Sequence, residues 1–129
     1  MTHPDAAYFE KVARRTFLAF PAAFRVMAEA VLIRVAEWPS DEMLDDLEIE
    51  DASELTGLYE GVPLPEKSLD FPEISPDVIW LFREPILAEW EERDDVELDD
   101  LIAHVTIHEF AHHFGWSDDE IARVAPWMD

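Results

Sequence analysis

The chain has 129 residues, enough for one domain with a buried core, and its 9 Lys plus Arg against 31 Asp plus Glu leave a formal net charge of −22. That charge argues against a nucleic-acid backbone or an anionic membrane as partner, and the absence of cysteine excludes disulfides, thiolate ligands and cysteine nucleophiles. Any metal must therefore be held by nitrogen and oxygen donors.

From Asp5 to Leu18 the apolar residues Phe9, Val12, Ala13, Phe17 and Leu18 recur at helical spacing, and Asp5 can cap the start. Pro21 suits the first turn of a second, short helix running through Ala30. Arg14 and Arg15 followed by Phe17 to Phe24 imitate a secretory signal, but Pro21, Arg25 and Glu29 interrupt it. No apolar run approaches the roughly 20 residues of a membrane span, so a cytoplasmic location is expected. Val31 to Trp38 reads as a strand stopped by Pro39. Ser40 to Asp70 is acidic and weakly periodic, with a helical turn or two within Asp41 to Asp51. Gly57, Gly61, Pro63 and Pro65 then mark a loop whose section Leu58 to Leu64 is a candidate wall of a binding cleft.

Val78 to Phe82, apolar at every position, fits a strand covered on both faces and ended by Pro85. Ile86, Leu87 and Trp90 predict a short helix before the acidic break Glu91 to Asp95. Leu98, Leu101, Ile102 and Val105 then hold helical spacing through His112 up to Gly115, a natural left-handed stop. Ser117 and Glu120 form a capping box opening a last short helix through Ile121 and Val124. The fold class expected is α+β, with a small twisted sheet that includes Val31 to Trp38 and Val78 to Phe82 packed on the helix before Gly115, in a single domain spanning residues 1–129.

His108-Glu109-Phe110-Ala111-His112 is an H-E-x-x-H pattern. Residues four apart stack on one helix face, so the two imidazoles can reach one metal ion. Glu109 projects beside them, where its carboxylate can take a proton from a water attacking a carbonyl. Gly115 and Asp118 extend the pattern to H-E-x-x-H-x-x-G-x-x-D, in which the turn can deliver a third, carboxylate ligand. Asp119 and Glu120 are near enough to substitute for Asp118, which can instead serve as a first-turn acid at the dipole of the last helix. His113 points off the ligand face and packs, or hydrogen-bonds a group behind the ligands. His104, one turn before His108, could line the cleft but is more simply a surface or satisfied residue. The serines lack a G-x-S-x-G context and the three glycines make no phosphate loop, so serine hydrolysis and nucleotide binding have little support.

At these residues the chain resembles a known family. His108 to Asp119, reading HEFAHHFGWSDD, looks like the signature of a small bacterial family of zincin-like metallopeptidases, the minimal zincins. Leu55 to Leu64, reading LTGLYEGVPL, the strand Ile79 to Phe82 and the strand ending at Trp38-Pro39 are similar to that family's other recurring blocks in order and spacing. The likeness spans the chain from about Ala22 onward. It implies a compact zincin-like α+β domain, one Zn2+ per chain bound by His108, His112 and Asp118, and Glu109 as general base. The expected partner is a peptide or protein substrate, met by a monomer, and the net charge leaves nucleic acid and membrane out of the expected partners. The segment after the site helix leaves no room for the Met-turn of larger metzincins, and this departure bears on proteolysis more than on metal binding. The competing expectation is a zinc-stabilised binding or regulatory domain that keeps the site without significant turnover.

Overall fold

The computed structural model describes residues 4–61 and 77–115. Helix α1 (Ala6–Leu18) starts where Asp5, in extended conformation, accepts a hydrogen bond from the Tyr8 amide at 3.0 Å, satisfying a donor that a first turn otherwise leaves orphaned. Its apolar ridge, Phe9, Val12 and Ala13, is buried. Helix α2 (Ala22–Met27) follows Pro21 and buries none of its residues. Strand β1 (Leu32–Ala36), helix α3 (Asp41–Asp46), a 3-10 turn at Ala52–Glu54, strands β2 (Gly57–Glu60) and β3 (Val78–Phe82), and helices α4 (Arg83–Arg93) and α5 (Leu98–His113) follow in that order.

The strands form one mixed sheet in the order β1-β3-β2, with β1 parallel and β2 antiparallel to the central β3. Ile79 of β3 stands between Ile33 and Tyr59, and Leu81 between Val35 and Gly57. Period-two alternation sends Ile79 and Leu81 toward the helices, where both are fully buried. Val78 and Trp80, on the opposite face, are half-buried, so cover on that side is less complete than the apolar run suggests. Helix α1 lies over β1 and against α5, while α5 lies over β2 and β3. The α+β architecture expected from the sequence is the one that forms.

Two apolar clusters hold α5. Leu98, Leu101, Ile102 and Val105 in its first half meet Phe9, Val12 and Ala13 of α1, Leu81 of β3, and Ile86 and Leu87 of α4. Further along, Phe110 meets Ala28 and Ile79, with Phe17 stacked on it at 5.3 Å and Phe20 edge-on at 5.2 Å. Each large apolar side chain so buried contributes roughly 1.5–3 kcal/mol. Helix α5 cannot slide along its axis without opening one cluster or the other.

Several boundaries differ from the sequence reading, for identifiable reasons. Strand β1 is shorter than Val31 to Trp38 because its ladder ends at Ala36 opposite Phe82, where β3 gives way to helix. Leu58 to Glu60, expected in a loop, belong to β2, where pairing with β3 outweighs the flanking glycines. Pro85 does not end β3: α4 has already begun at Arg83, and in a first turn proline sacrifices no intrahelical bond. Nor do Glu91 and Glu92 break that helix, which runs to Arg93 with an Arg93–Glu89 pair at 3.2 Å and stops at Asp94 with φ 59°. The short helix expected after Ser117 lies outside the described residues.

Polar joints complete the frame. The Arg83 guanidinium donates to the Pro4 carbonyl at 2.6 Å and to the Glu37 carboxylate at 2.7 Å, tying the N-terminus and the end of β1 to the start of α4. The Tyr8 hydroxyl donates to Asp99 in the first turn of α5, and Arg15 pairs with the same carboxylate at 3.3 Å. The hydrogen bond to Asp99, then partial desolvation and the Asp99 charge, raise the Tyr8 phenol above its ordinary 10.0, against a lowering by Arg15. Because the fold favours the protonated phenol, the stabilisation is fully present below the unfolded value and is lost as pH rises through the higher folded one. A 13Cζ NMR titration, assigned with Tyr8→Phe, is expected to show Tyr8 ionising above 10.0 and returning toward it in Asp99→Asn. A midpoint at or below 10.0 in the wild type would contradict the joint.

Candidate metal centre

Helical geometry sets the first relation within the site. With ~100° per residue, His108 and His112 project close together around α5, and Glu109 projects roughly 60° beyond His112. The two imidazole centroids are 4.8 Å apart with their planes at 78°, and both side chains are half-buried. His104 continues the same ridge, its ring stacked 6.5 Å from that of His108 at 16°. It is half-buried. Two imidazoles side by side on one rigid helix are a donor pair of the kind zinc takes.

Glu109 is only 8% exposed. Its burial comes from β2, which passes so close to α5 that a Cβ on Gly57 would stand 2.6 Å from Val105 Cγ1 and 3.2 Å from Glu109 Oε2. Glycine here serves close approach, not chain reversal. The hydrogen bond from the Phe82 amide to the Thr56 carbonyl, 3.0 Å, sets the phase of the antiparallel ladder. Leu58 and Glu60 therefore turn their backbone groups to β3, and Gly57 and Tyr59 turn theirs away from it. Among the described residues β2 is the terminal strand on this side of the sheet, so its outer edge and the Glu109 carboxylate meet at Gly57. Of the segment Leu58 to Leu64 expected to wall a cleft, Leu58 to Glu60 are strand and follow Gly57 beside Glu109, while residues 62–64 lie outside the described residues.

His113 lies off the ridge of His108 and His112, as its spacing implies, and is 3% exposed. Its Nδ1 is 3.0 Å from Asp77 Oδ2 and 3.2 Å from the Tyr59 hydroxyl, which itself donates to Asp77 Oδ2 at 3.0 Å. Its Nε2 faces the Met27 carbonyl at 3.4 Å. Sequence reasoning placed Tyr59 only within the segment Leu58 to Leu64 as a candidate cleft wall, and assigned Asp77 no role. The one available signal was a carboxylate immediately before an all-apolar strand.

Helix α5 ends at His113 with Phe114 as its cap, and Gly115 takes φ +88° with its amide bonded to the His112 carbonyl at 3.0 Å. This is the left-handed exit the sequence predicts. Asp118, Asp119 and Glu120 lie outside the described residues. Among the described residues no group of three His, Asp or Glu side chains that could hold a metal ion is brought together.

A family model of zincin-like metallopeptidases matches residues 28–127. The chain belongs to the zincin-like metallopeptidase family. The matched span runs from just before β1 through the whole of α5 and close to the C-terminus, and it starts near the Ala22 from which the resemblance was expected. No curated protein matches the chain. For a zincin-like metallopeptidase, zinc binding and peptide-bond hydrolysis are the properties that membership implies. No helix among the described residues is long and apolar enough to cross a membrane.

The approach of β2 to this zincin-like site makes Gly57→Ala informative. The added methyl group must displace Val105 or the Glu109 side chain, and overpacking of this kind costs roughly 1–3 kcal/mol. Urea unfolding is expected to report a loss of that size. An unchanged midpoint would mean that β2 does not press on α5.

Proposed function

We propose that the chain is a zinc-dependent peptidase in which His108, His112 and Asp118 hold one Zn2+ and Glu109 is the general base. The observation that carries this reading is the pair of adjacent imidazoles with the buried Glu109 carboxylate between them and the outer edge of β2. Zinc held there would supply a Lewis acid that polarises a carbonyl and makes water acidic enough to attack at neutral pH. The protein's own residues supply the remainder of the chemistry. The outward N–H and C=O groups of Gly57 and Tyr59 pair with an extended peptide as an added strand, which brings a peptide bond alongside α5. Glu109, held against Gly57, accepts the proton of the attacking water and returns it to the leaving nitrogen. The net charge of −22 favours neutral or basic peptides over acidic ones and makes capture of a basic peptide slower as salt rises. A cytoplasmic monomer without nucleic-acid or membrane partners fits the same charge.

Protein purified without a histidine tag is expected to carry about one equivalent of zinc, lost in His108→Ala and in His112→Ala. Asp118→Ala should weaken zinc binding less than loss of either histidine if Asp119 or Glu120 takes its place. Glu109→Gln preserves shape and zinc but removes the proton acceptor, so cleavage of a peptide library followed by mass spectrometry should fall by roughly 100-fold or more. A zinc-loaded wild type that leaves a broad library of unfolded peptides intact would overturn the peptidase reading in favour of a zinc-stabilised binding domain.

A further inference from the structure

We propose that Tyr59, Asp77 and His113 form a positioning unit that sets the register of β2 along α5, and through it the alignment of the β2 edge with Glu109. The proposal rests on the reading of Glu109 as the base and of the β2 edge as the substrate strand's partner.

Val105, Glu109 and His113 occupy positions i, i+4 and i+8 of α5 and form one ridge. Strand β2 follows that ridge. Gly57 meets Val105 and Glu109, and Tyr59, two residues on, meets His113. Two strand residues advance about 6.6 Å and four helical residues about 6 Å, so the two contacts are commensurate. They differ in kind. At Gly57 the contact is close packing against side chains, which tolerates a tilt or a small slide. At Tyr59 it is directional: the hydroxyl donates to Asp77 Oδ2 at 3.0 Å, leaving its oxygen and that carboxylate to accept from Nδ1 of His113 at 3.2 and 3.0 Å. Asp77 and His113 are 7% and 3% exposed, so water does not readily replace these bonds.

The unit also reaches the rest of the sheet. The Asp77 carbonyl accepts from the Leu32 amide of β1 at 2.9 Å, and its carboxylate lies where a Cβ on Gly61 would collide with it. A one-residue slip of β2 would turn Tyr59 to the opposite face and break all its contacts with Asp77 and His113.

Hydrogen exchange by mass spectrometry on the zinc-loaded full chain tests this. In Tyr59→Phe, which keeps the ring and removes only the hydroxyl, exchange at the Leu58 and Glu60 amides should quicken by roughly tenfold or more, while α1 core amides and zinc content stay unchanged. His113→Asn, which leaves an amide N–H near the position of Nδ1, should retain more of that protection than His113→Leu. On any peptide the wild type cleaves, Tyr59→Phe should lower kcat with zinc content intact. Unchanged exchange in β2, a rise spread evenly over the whole chain, or an unaltered kcat would each overturn the proposal. Wild type that cleaves nothing is instead a failure of the peptidase reading, and the exchange comparison still decides whether the unit holds β2.

Discussion

Helix α5 has to be a core helix and a site helix at once. Leu98, Leu101, Ile102 and Val105 anchor one end among α1, β3 and α4, and Phe110 anchors the other among Phe17, Phe20 and Ile79. The helix also carries buried polar groups, Thr106 and Glu109 between these anchors and His113 just beyond the second. Such groups are tolerable only when bonded. Thr106 returns its hydroxyl to the Ile102 carbonyl at 2.8 Å, and His113 meets Asp77 and Tyr59. Among the described residues no buried side-chain nitrogen or oxygen lacks a partner. The histidine ridge of His104, His108 and His112 is half-buried rather than sealed into either cluster.

The sheet is arranged around the same demand. Parallel β1 is covered by α1, whereas antiparallel β2 closes the order on the side where α5 is approached most closely. An open strand edge invites unwanted pairing. Among the described residues β2 ends the sheet with only four residues, and the chain is strongly acidic: from Val35 onward it has 28 Asp plus Glu and 4 Lys plus Arg, while the first 34 residues carry 5 basic and 3 acidic groups. Repulsion between copies therefore opposes edge-to-edge association, and the same field attracts basic chains.

What the sequence made legible was whatever depends on local periodicity or on a contiguous motif. Helix α1 with its Asp5 cap, β3 from Val78 to Phe82, and α5 with its left-handed exit at Gly115 could be read directly, as could the adjacency of His108, Glu109 and His112. Strand β2 could not. It is four residues long and opens on a glycine, and its stability comes from β3, which lies beyond residues 62–76, and from α5. The Tyr59, Asp77 and His113 cluster was invisible for the same reason, its members being 18 and 36 residues apart in sequence. The start of α4 was misplaced because proline was read as a stop, although in a first helical turn it is harmless.

In the proposed mechanism, one rigid element carries both halves of the geometry. The imidazoles that hold the metal lie on one ridge of α5, and the ridge beside it, Val105, Glu109 and His113, receives β2. Along that second ridge the strand meets an apolar contact, then the base, then a hydrogen-bonded fixture. Misplacing a reacting group by about 1 Å can cost roughly 10²-fold in rate. Sites built on helices and strands hold such tolerances better than sites built on loops. Had the base and the substrate edge belonged to separate loops, each would need its own restraint. With both referred to α5, the two apolar clusters that immobilise the helix also fix the distance between the metal-binding face and the strand that presents the peptide.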